Sequence, residues 1–375
     1  MKKYLKLILI VGARPNFMKI APIISEIHKH NKLHRSSDIH IDHILVHTGQ
    51  HYDLQMSDAF FQDLNIPAPN FNLEVGSASH AVQTAEIMVR FENICLQERP
   101  DWIIVVGDVN STMACTLVAS KLAIKVAHIE AGLRSFDRSM PEEINRIITD
   151  ALADLLFTPS EDADQNLLRE GIPKAKIKRV GNIMIDTLMS HIEKARHRKI
   201  HDQFGVKETN YIFVTLHRPS NVDNKSSLSI IMNHLGSISK RIPVIFPVHP
   251  RTSKNLSEFG LSKNPDTHQN MIICEPLGYL DTLGLVDKAR FVLTDSGGLQ
   301  EETTFLNIPC LTLRPNTERP ITITQGTNQL ASLETLDHDL ISLANGNHKS
   351  GNIPALWDGQ TAKRIIATLC AELGI

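Results

Sequence analysis

The sequence has little of what defines several common classes of protein. Its five cysteines lie far apart and form no Cys-x-x-Cys pattern, which argues against structural zinc and a disulfide framework and fits a reducing cytoplasm. No stretch approaches the ~18 apolar residues that a membrane helix needs. The apolar run near the N-terminus is short and has no cleavage site, so it predicts a buried strand and not a signal peptide.

Net charge is almost absent as well. The 39 basic and 41 acidic side chains leave a formal charge of −2, which gives no field to attract nucleic acid or an acidic membrane surface. An anionic ligand must therefore be bound by local groups. A hydrophobic fraction of 42% and a charged fraction of 21% are typical of a globular enzyme, and 375 residues predict two domains.

Short apolar runs alternate with amphipathic helical patterns along most of the chain. This alternation predicts an α/β fold, with parallel sheets covered by helices on both faces. The pattern breaks over 184–210 and then restarts. We therefore predict two Rossmann-like, doubly wound domains that face each other across a cleft, at 1–183 and 184–359, and a last helix at about 360–375 that can pack back on the first. The predicted strands lie at 6–11, 43–46, 102–106, 125–129, 155–158, 211–216, 244–248, 271–274, 291–294 and 310–313.

Charged motifs follow these strands, where open α/β sheets bind their ligands. In VGARPNFMK, Gly12 permits a tight turn and Pro15 suits the first turn of a helix, while Arg14 and Lys19 bring cations near the helix N-terminus. The motif fits an anion site, and it also fits an ordinary strand-to-helix turn with solvated cations.

VVGDVNST places Asp108 directly after an apolar strand, with Asn110 or Ser111 as the expected helix cap. Asp108 can be a capping residue or a catalytic acid or base. In HIEAGLRS, Glu130 ends a strand in the same way, and a capping role is less favoured for Glu. Both carboxylates are therefore candidates for proton transfer.

PEEINR predicts a helix that begins at Pro141, with Glu142 and Glu143 favourably placed in its first turn. Glu142 and Arg146 lie four residues apart, which by itself predicts an ordinary ion pair on the helix surface.

Two histidines end strands of the second half, His217 in TLHRPSN and His249 in PVHPR. No further ligands are near either one, so we predict no metal site. An imidazole here can donate to phosphate or carry a proton.

TDSGGLQEE is the motif that points most specifically to a binding site. Ser296, Gly297 and Gly298 lie between a strand and a helix, where glycines let a ligand approach the backbone and helix amides donate to phosphate. Glu302 would lie about one turn into that helix, within reach of a ribose. The alternative is a capped glycine turn.

The sequence resembles the non-hydrolysing UDP-N-acetylglucosamine 2-epimerases over roughly residues 6–330. The resemblance is carried by the order and spacing of the motifs GARPNFMK, GDVNST, HIEAGLRS, PEEINR, HR, HPR, DSGGLQEE and NTERP. The resemblance implies two Rossmann-like domains in the glycosyltransferase-B arrangement and a cytoplasmic homodimer that makes cell-surface polysaccharide precursors. It also implies cofactor-free epimerisation at C2. UDP is eliminated to give 2-acetamidoglucal and then added back.

The same resemblance assigns roles to residues. The implied catalytic set is Asp108, Glu130, Glu142 and His217. Either Asp108 or Glu130 would transfer the C2 proton, with Glu142 in support. Glu302 would bind the ribose, residues 296–298 the diphosphate, and the Leu277 backbone the uracil. The implied substrate-binding set is Arg14, Lys19, Arg146, His249, Leu277, Ser296, Gly297, Gly298, Glu302 and Arg319.

Three departures from the family pattern stand out. Thr282 replaces an aromatic side chain, which weakens the expected stacking on the base. Pro219-Ser220-Asn221 replaces Arg-Glu-Asn. Asp53 lies where the family has an allosteric glutamine, which argues against the activation by substrate found in some members.

Other functions fit the same motifs. The nearest are 2-epimerisation of a UDP-2,3-diacetamido-hexuronate and a hydrolysing epimerase that releases free N-acetylmannosamine. A glycosyltransferase of the same architecture is more remote, because the carboxylate-rich motifs exceed what a transferase needs. A non-catalytic UDP-sugar-binding protein is a further alternative.

Overall fold

The computed structural model of the protein describes residues 3–34, 39–49, 66–261 and 270–372, leaving out the side chains of Lys3, Arg14 and Ile39. The chain divides into two compact units, Met1–Thr187 with Ala355–Ile375 and Leu188–Pro354. We call them the first and second domain. The boundaries predicted from the sequence lie close to these limits and stay a prediction. Asp53 lies outside the described residues.

The first domain contains a seven-stranded parallel sheet in the order β3-β2-β1-β4-β5-β6-β7. Its central strands are almost wholly buried because helices cover both faces, which explains their continuous apolar sequences. The strands are β1 (Lys3–Val11), β2 (Ile39–His47), β3 (Phe71–Asn72), β4 (Trp102–Val106), β5 (Lys125–Ile129), β6 (Leu155–Thr158) and β7 (Ile177–Arg179).

The helices of this domain follow the strands in chain order. They are α1 (Arg14–Leu33), α2 (His80–Glu98), α3 (Asn110–Lys121), α4 (Pro141–Leu152), α5 (Glu161–Arg169), a 3-10 turn (Lys174–Lys176), α6 (Ile183–His197), which extends into the second domain, and the C-terminal α15 (Thr361–Ala371). The C-terminal helix packs against α1. The Asp186 carboxylate accepts from the first backbone amides of that helix, Thr361 at 3.2 Å and Ala362 at 2.8 Å, and thereby caps it.

The second domain contains a six-stranded parallel sheet in the order β10-β9-β8-β11-β12-β13. Its strands are β8 (Ile212–Thr215), β9 (Val244–Pro247), β10 (Met271–Cys274), β11 (Phe291–Thr294), β12 (Cys310–Leu313) and β13 (Asn328–Ala331). Its helices are α7 (Ile200–Gln203), α8 (Pro219–Val222), α9 (Lys225–Ser239), α10 (Pro250–Glu258), α11 (Tyr279–Asp287), α12 (Gly297–Leu306), α13 (Pro320–Thr324) and α14 (Leu336–Ala344).

The order of strands reverses between β1 and β4 in the first sheet and between β8 and β11 in the second. Ligands of doubly wound sheets bind at such switch points, beyond the carboxyl ends of the strands. The segments that follow these four strands are GAR, GDV, LHR and DSG. The topology therefore brings two of the candidate motifs of each domain to the switch point of its own sheet.

One local expectation was wrong. Neither Asn110 nor Ser111 caps α3, because the helix begins at Asn110 and Val109 occupies the N-cap without a side-chain hydrogen bond. Asn110 instead donates to the Gln83 carboxamide on α2 at 2.8 Å, so its side chain joins two helices.

Candidate active site

Asn16 in α1 holds the turn after β1 against the end of β4. Its side-chain oxygen accepts from the Gly12 and Ala13 amides at 3.1 and 2.8 Å, and its nitrogen donates to the Val106 carbonyl at 2.9 Å. A Cβ on Gly12 would lie 2.2 Å from Ser111 Oγ, so only glycine permits this approach. Sequence analysis missed the role of Asn16.

Lys19 and Glu130 form a buried ion pair at this switch point, between the Lys19 ammonium and Glu130 Oε2. Glu130 directly follows β5 and adopts a left-handed backbone conformation with φ of 71°, which is rare for a residue with a side chain. Its other oxygen, Oε1, is buried and has no hydrogen-bond partner among the described residues. One oxygen of Glu130 is thus neutralised and the other is uncommitted.

Asp108 lies at the end of β4 and is fixed by α4. Arg146 contacts Asp108 Oδ2, and Asn145 donates to the Asp108 carbonyl at 2.8 Å. Arg146 also donates to Glu143 at 2.6 Å and is itself buried, unlike the surface residue that its spacing from Glu142 predicts. These contacts show Arg146 orienting a candidate catalytic carboxylate, while its predicted contact with substrate stays a prediction.

Glu142 and Glu143 have opposite environments although they are adjacent in the first turn of α4. Glu142 is exposed, whereas Glu143 is buried and accepts from the backbone amides of Ser135 and Phe136 at 3.0 and 2.9 Å. Burial acts to raise the pKa of Glu143, but these amides and Arg146 outweigh it and hold the pKa below its ordinary value. Glu143 therefore anchors the loop that precedes α4, and Glu142 is left accessible.

His217 begins the loop after β8 and contacts Asp295, which follows β11. The His217 Nδ1–Asp295 Oδ1 distance is 2.9 Å, and Asp295 also accepts from the Arg218 amide at 2.9 Å and from Asn221 Nδ2 at 2.9 Å. Burial acts to raise the pKa of Asp295, and the contacts with His217, Arg218 and Asn221 reverse this and lower it. The buried carboxylate thus orients a half-exposed imidazole, a role that sequence analysis missed for Asp295.

Ser296 is the N-cap residue of α12, which begins at Gly297. A Cβ on Gly297 would lie 2.5 Å from Arg319 Nη1, whereas a Cβ on Gly298 would meet nothing within 4 Å. Arg319 is buried and pairs with Glu301 at 2.8 Å and with Glu318. The structure therefore brings Arg319 to the glycine loop, while the contact with substrate that the family resemblance implies for it stays a prediction.

Glu302 lies on α12 and is buried, and Tyr279 donates to its Oε1 at 3.1 Å. Burial, opposed by the hydrogen bond from Tyr279 and assisted by the charge of Glu301, raises the pKa of Glu302 to about 7. Near neutral pH such a carboxyl group can lose its proton and, as a carboxylate, accept a hydrogen bond from a ligand hydroxyl.

The remaining predicted residues of the second domain lie around these groups. The His249 ring is 5.7 Å from that of His217, and its Nδ1 accepts from the Arg251 amide at 3.2 Å. Leu277 is half-buried against an apolar cluster, in the turn before α11. Thr282 is half-buried on α11, where its backbone amide donates to the Gly278 carbonyl.

The described part of the chain holds no group of three or more His, Cys, Asp or Glu side chains able to bind a metal ion. Nor does any helix within it have the length and apolar character needed to cross a membrane.

Known proteins share both the sequence and the fold. A family model described as UDP-N-acetylglucosamine 2-epimerase matches residues 31–370. A Methanocaldococcus jannaschii protein named UDP-N-acetylglucosamine 2-epimerase is 45% identical over 331 residues, which cover 87% of this chain and 88% of that protein. One of the same name from Methanococcus maripaludis is 41% identical over 378 residues, covering 98% and 99%.

The crystal structure of Methanocaldococcus jannaschii UDP-GlcNAc 2-epimerase in complex with UDP-GlcNAc and UDP is 42% identical. It covers 98% of this chain and 100% of that chain, with a TM-score of 0.86. The predicted α/β class with two Rossmann-like domains is confirmed, as is the resemblance drawn from the motifs. This chain belongs to the UDP-N-acetylglucosamine 2-epimerase family.

Proposed function

We propose that this protein interconverts UDP-N-acetylglucosamine and UDP-N-acetylmannosamine without a cofactor. The observation that carries the proposal is the buried Glu130, which follows β5, pairs with Lys19 through one oxygen and has no partner for the other. Membership of the family supplies the reaction type. Such a carboxylate, together with Asp108, suits removal of a proton from carbon.

In the proposed reaction Asp108 or Glu130 takes the proton from C2, and the electron pair of the C2–H bond forms a C1–C2 double bond. The bond between C1 and the diphosphate oxygen breaks, so UDP leaves with that bond's electrons and 2-acetamidoglucal remains. Re-addition of UDP at C1 and of a proton at the opposite face of C2 completes the epimerisation. Glu142 supports proton transfer from the first turn of α4.

The UDP moiety would be bound by the second domain. The free amides at the start of α12, Ser296 and Arg319 are suited to the diphosphate, where negative charge grows as the C1–O bond breaks. Glu302 is suited to the ribose hydroxyls and the backbone at Leu277 to the uracil. His217, oriented by Asp295, would donate to the diphosphate. Arg14, Lys19, Arg146 and His249 complete the proposed substrate-binding set.

We further propose that the enzyme is a cytoplasmic homodimer that supplies precursors of cell-surface polysaccharides. The absence of a net field and the scattered cysteines agree with a cytoplasmic enzyme. Light scattering of the purified protein tests the dimer, and a monomeric mass at assay concentration would contradict it.

Proton NMR of UDP-GlcNAc with purified protein in D2O tests the reaction. We expect UDP-ManNAc with deuterium at C2, in the absence of any acceptor or added cofactor. Free N-acetylmannosamine with UDP would indicate a hydrolysing enzyme instead. An unchanged spectrum from protein that binds UDP would reject this substrate, and a UDP-2,3-diacetamido-hexuronate would be assayed next.

A further inference from the structure

His128 is fully buried in β5, two residues before Glu130, and contacts two other segments. Its Nδ1 lies 2.6 Å from Asp150 Oδ1 on α4, and its Nε2 lies 2.9 Å from the Gly107 carbonyl oxygen after β4. The imidazole therefore joins α4 to the residue that precedes Asp108.

Both partners of His128 can only accept hydrogen bonds in this arrangement. A backbone carbonyl is an acceptor, and Asp150 is ionised because it also accepts from the Gly132 amide at 3.0 Å and pairs with Arg134 at 2.7 Å. Burial acts to raise the pKa of Asp150, but His128 and Arg134 outweigh it and lower the pKa. Because the Gly107 carbonyl can only accept, His128 Nε2 is the donor in that contact.

Contacts and conformation at Gly107 restrain the backbone between Gly107 and Asp108. Its amide donates to the Ile129 carbonyl at 3.1 Å, and its φ is 69°. A Cβ at this position would lie 3.2 Å from Lys19 Nζ and 3.5 Å from Glu130 Oε2. Since its carbonyl accepts from His128, the peptide unit between Gly107 and Asp108 is held directly beside the Lys19–Glu130 pair.

Helix α4 supplies the rest of the restraint on Asp108. Asn145 donates to the Asp108 carbonyl, Arg146 contacts its carboxylate, and Asp150 acts through His128. The same helix carries Glu142 in its first turn. One rigid helix thereby relates the positions of two candidate catalytic carboxylates, and His128 is the link that reaches the peptide before Asp108.

We propose that His128 is a positioning residue for epimerisation, because its Nε2–H fixes the Gly107–Asp108 peptide unit and so aims the Asp108 carboxylate. This inference rests on the proposed function for its kinetic consequence. The Asp150 contact has a supporting role, which is to orient the ring. A small misplacement of a catalytic group can cost about 10²-fold in rate.

Two substitutions separate the two ring nitrogens. In His128→Gln the side-chain amide lies near the position of Nε2 and can still donate to the Gly107 carbonyl. In His128→Asn it lies near Nδ1 and retains only the contact with Asp150. If Nε2 positions Asp108, His128→Gln should keep kcat within about tenfold of wild type while His128→Asn loses about 10²-fold, with KM little changed in both.

His201→Asn is the matched control, since this buried histidine belongs to the second domain and lies near Asp202 and Glu208. It should leave kcat unchanged. The melting temperature and the UDP affinity are also measured for every variant. Both report on folding and do not depend on the proton transfer proposed for the first domain. A larger kcat for His128→Asn than for His128→Gln, or losses that simply follow the melting temperature, would overturn the proposal.

Crystal structures of the two variants test the geometric claim without any assay. The Gly107–Asp108 peptide should keep its orientation in His128→Gln and rotate in His128→Asn, and an unchanged peptide in both would refute the inference. Inactive wild-type protein would instead reject the proposed function, while these structures would still decide the role of His128.

Discussion

Lys19 and Glu130, 111 residues apart in the sequence, form a buried ion pair at the switch point of the first sheet. The pair exists because α1 follows β1, β5 lies two strands away, and β4 between them is followed by a glycine, Gly107. Asp108 follows that glycine. Two carboxylates and one ammonium group therefore occupy the same edge, which makes this edge the centre of the proposed proton transfer.

Glu130→Gln should lower kcat by about 10²–10⁴-fold, because an amide cannot accept a proton from C2. The variant preserves the size of the side chain in its unusual backbone conformation, and UDP affinity should change little because the proposed UDP-binding residues belong to the second domain. Steady-state kinetics and calorimetry measure both quantities. Glu161→Gln, at an exposed position, is the control, and a Glu130→Gln enzyme with normal kcat would remove Glu130 from the mechanism.

Arg146→Lys should lower kcat by about 10²-fold and also lower the melting temperature. The buried guanidinium contacts Asp108 and Glu143 through different nitrogens, and a single ammonium group cannot reproduce this geometry. Arg241→Lys, an exposed substitution in the second domain, should change neither quantity. If kcat is unchanged and kcat/KM falls only through a higher KM, Arg146 binds substrate and does not orient Asp108.

Gly297 and Gly298 should respond differently to alanine. Gly297→Ala should destabilise the protein by about 1–3 kcal/mol, because the new Cβ would displace the buried Arg319 and Glu318. Gly298→Ala has open space and should be neutral or stabilise by up to about 1 kcal/mol. Denaturant unfolding measures these differences.

UDP binding provides the functional half of that comparison. Gly298→Ala should weaken UDP binding in a protein of undiminished stability, since the proposed diphosphate approaches this open backbone closely. Unchanged affinity would contradict the placement of the diphosphate at the start of α12.

The stability of the ligand-free protein should depend on the ionisation of Glu302. Its pKa is raised from 4.5 to about 7, so the folded state binds the proton more tightly than the unfolded state. Its contribution to stability is fully present below pH 4.5 and is lost as the pH rises through 7. Relative to Glu302→Gln, the free energy of unfolding of wild type should therefore decrease between these pH values. If the free energies of the two proteins change in parallel with pH, Glu302 does not contribute in this way.

UDP affinity should show the opposite trend with pH. A ribose diol donates hydrogen bonds, so it favours the ionised Glu302, and affinity should fall as the pH decreases below 7. In Glu302→Gln only the titration of other groups, including the phosphate, should remain. Calorimetry of both proteins from pH 5.5 to 8.5 would measure the difference, whose absence would place the ribose elsewhere.

Most central strands were predictable because each is a continuous apolar run bounded by turn residues. The central strands at 102–106, 125–129, 155–158, 291–294 and 310–313 have the predicted limits, as does the edge strand at 271–274, whose sequence is an apolar run. Sequence analysis missed β3, β7 and β13, which lie at sheet edges. These three edge strands are short or polar because they are covered less completely, so they lack the apolar run that identifies a strand.

The sequence by itself determined the fold class, the family and the residues that follow each central strand, because strand length, burial and turn chemistry are local properties. Only the tertiary structure decided which of those residues meet. Asp295 orients His217, which is 78 residues away in the sequence. Arg146 contacts Asp108 over a separation of 38 residues, and His128 contacts Gly107 over a separation of 21 residues. These contacts depend on the order of strands in the sheets and on the facing sides of the helices, and periodicity within one segment contains neither.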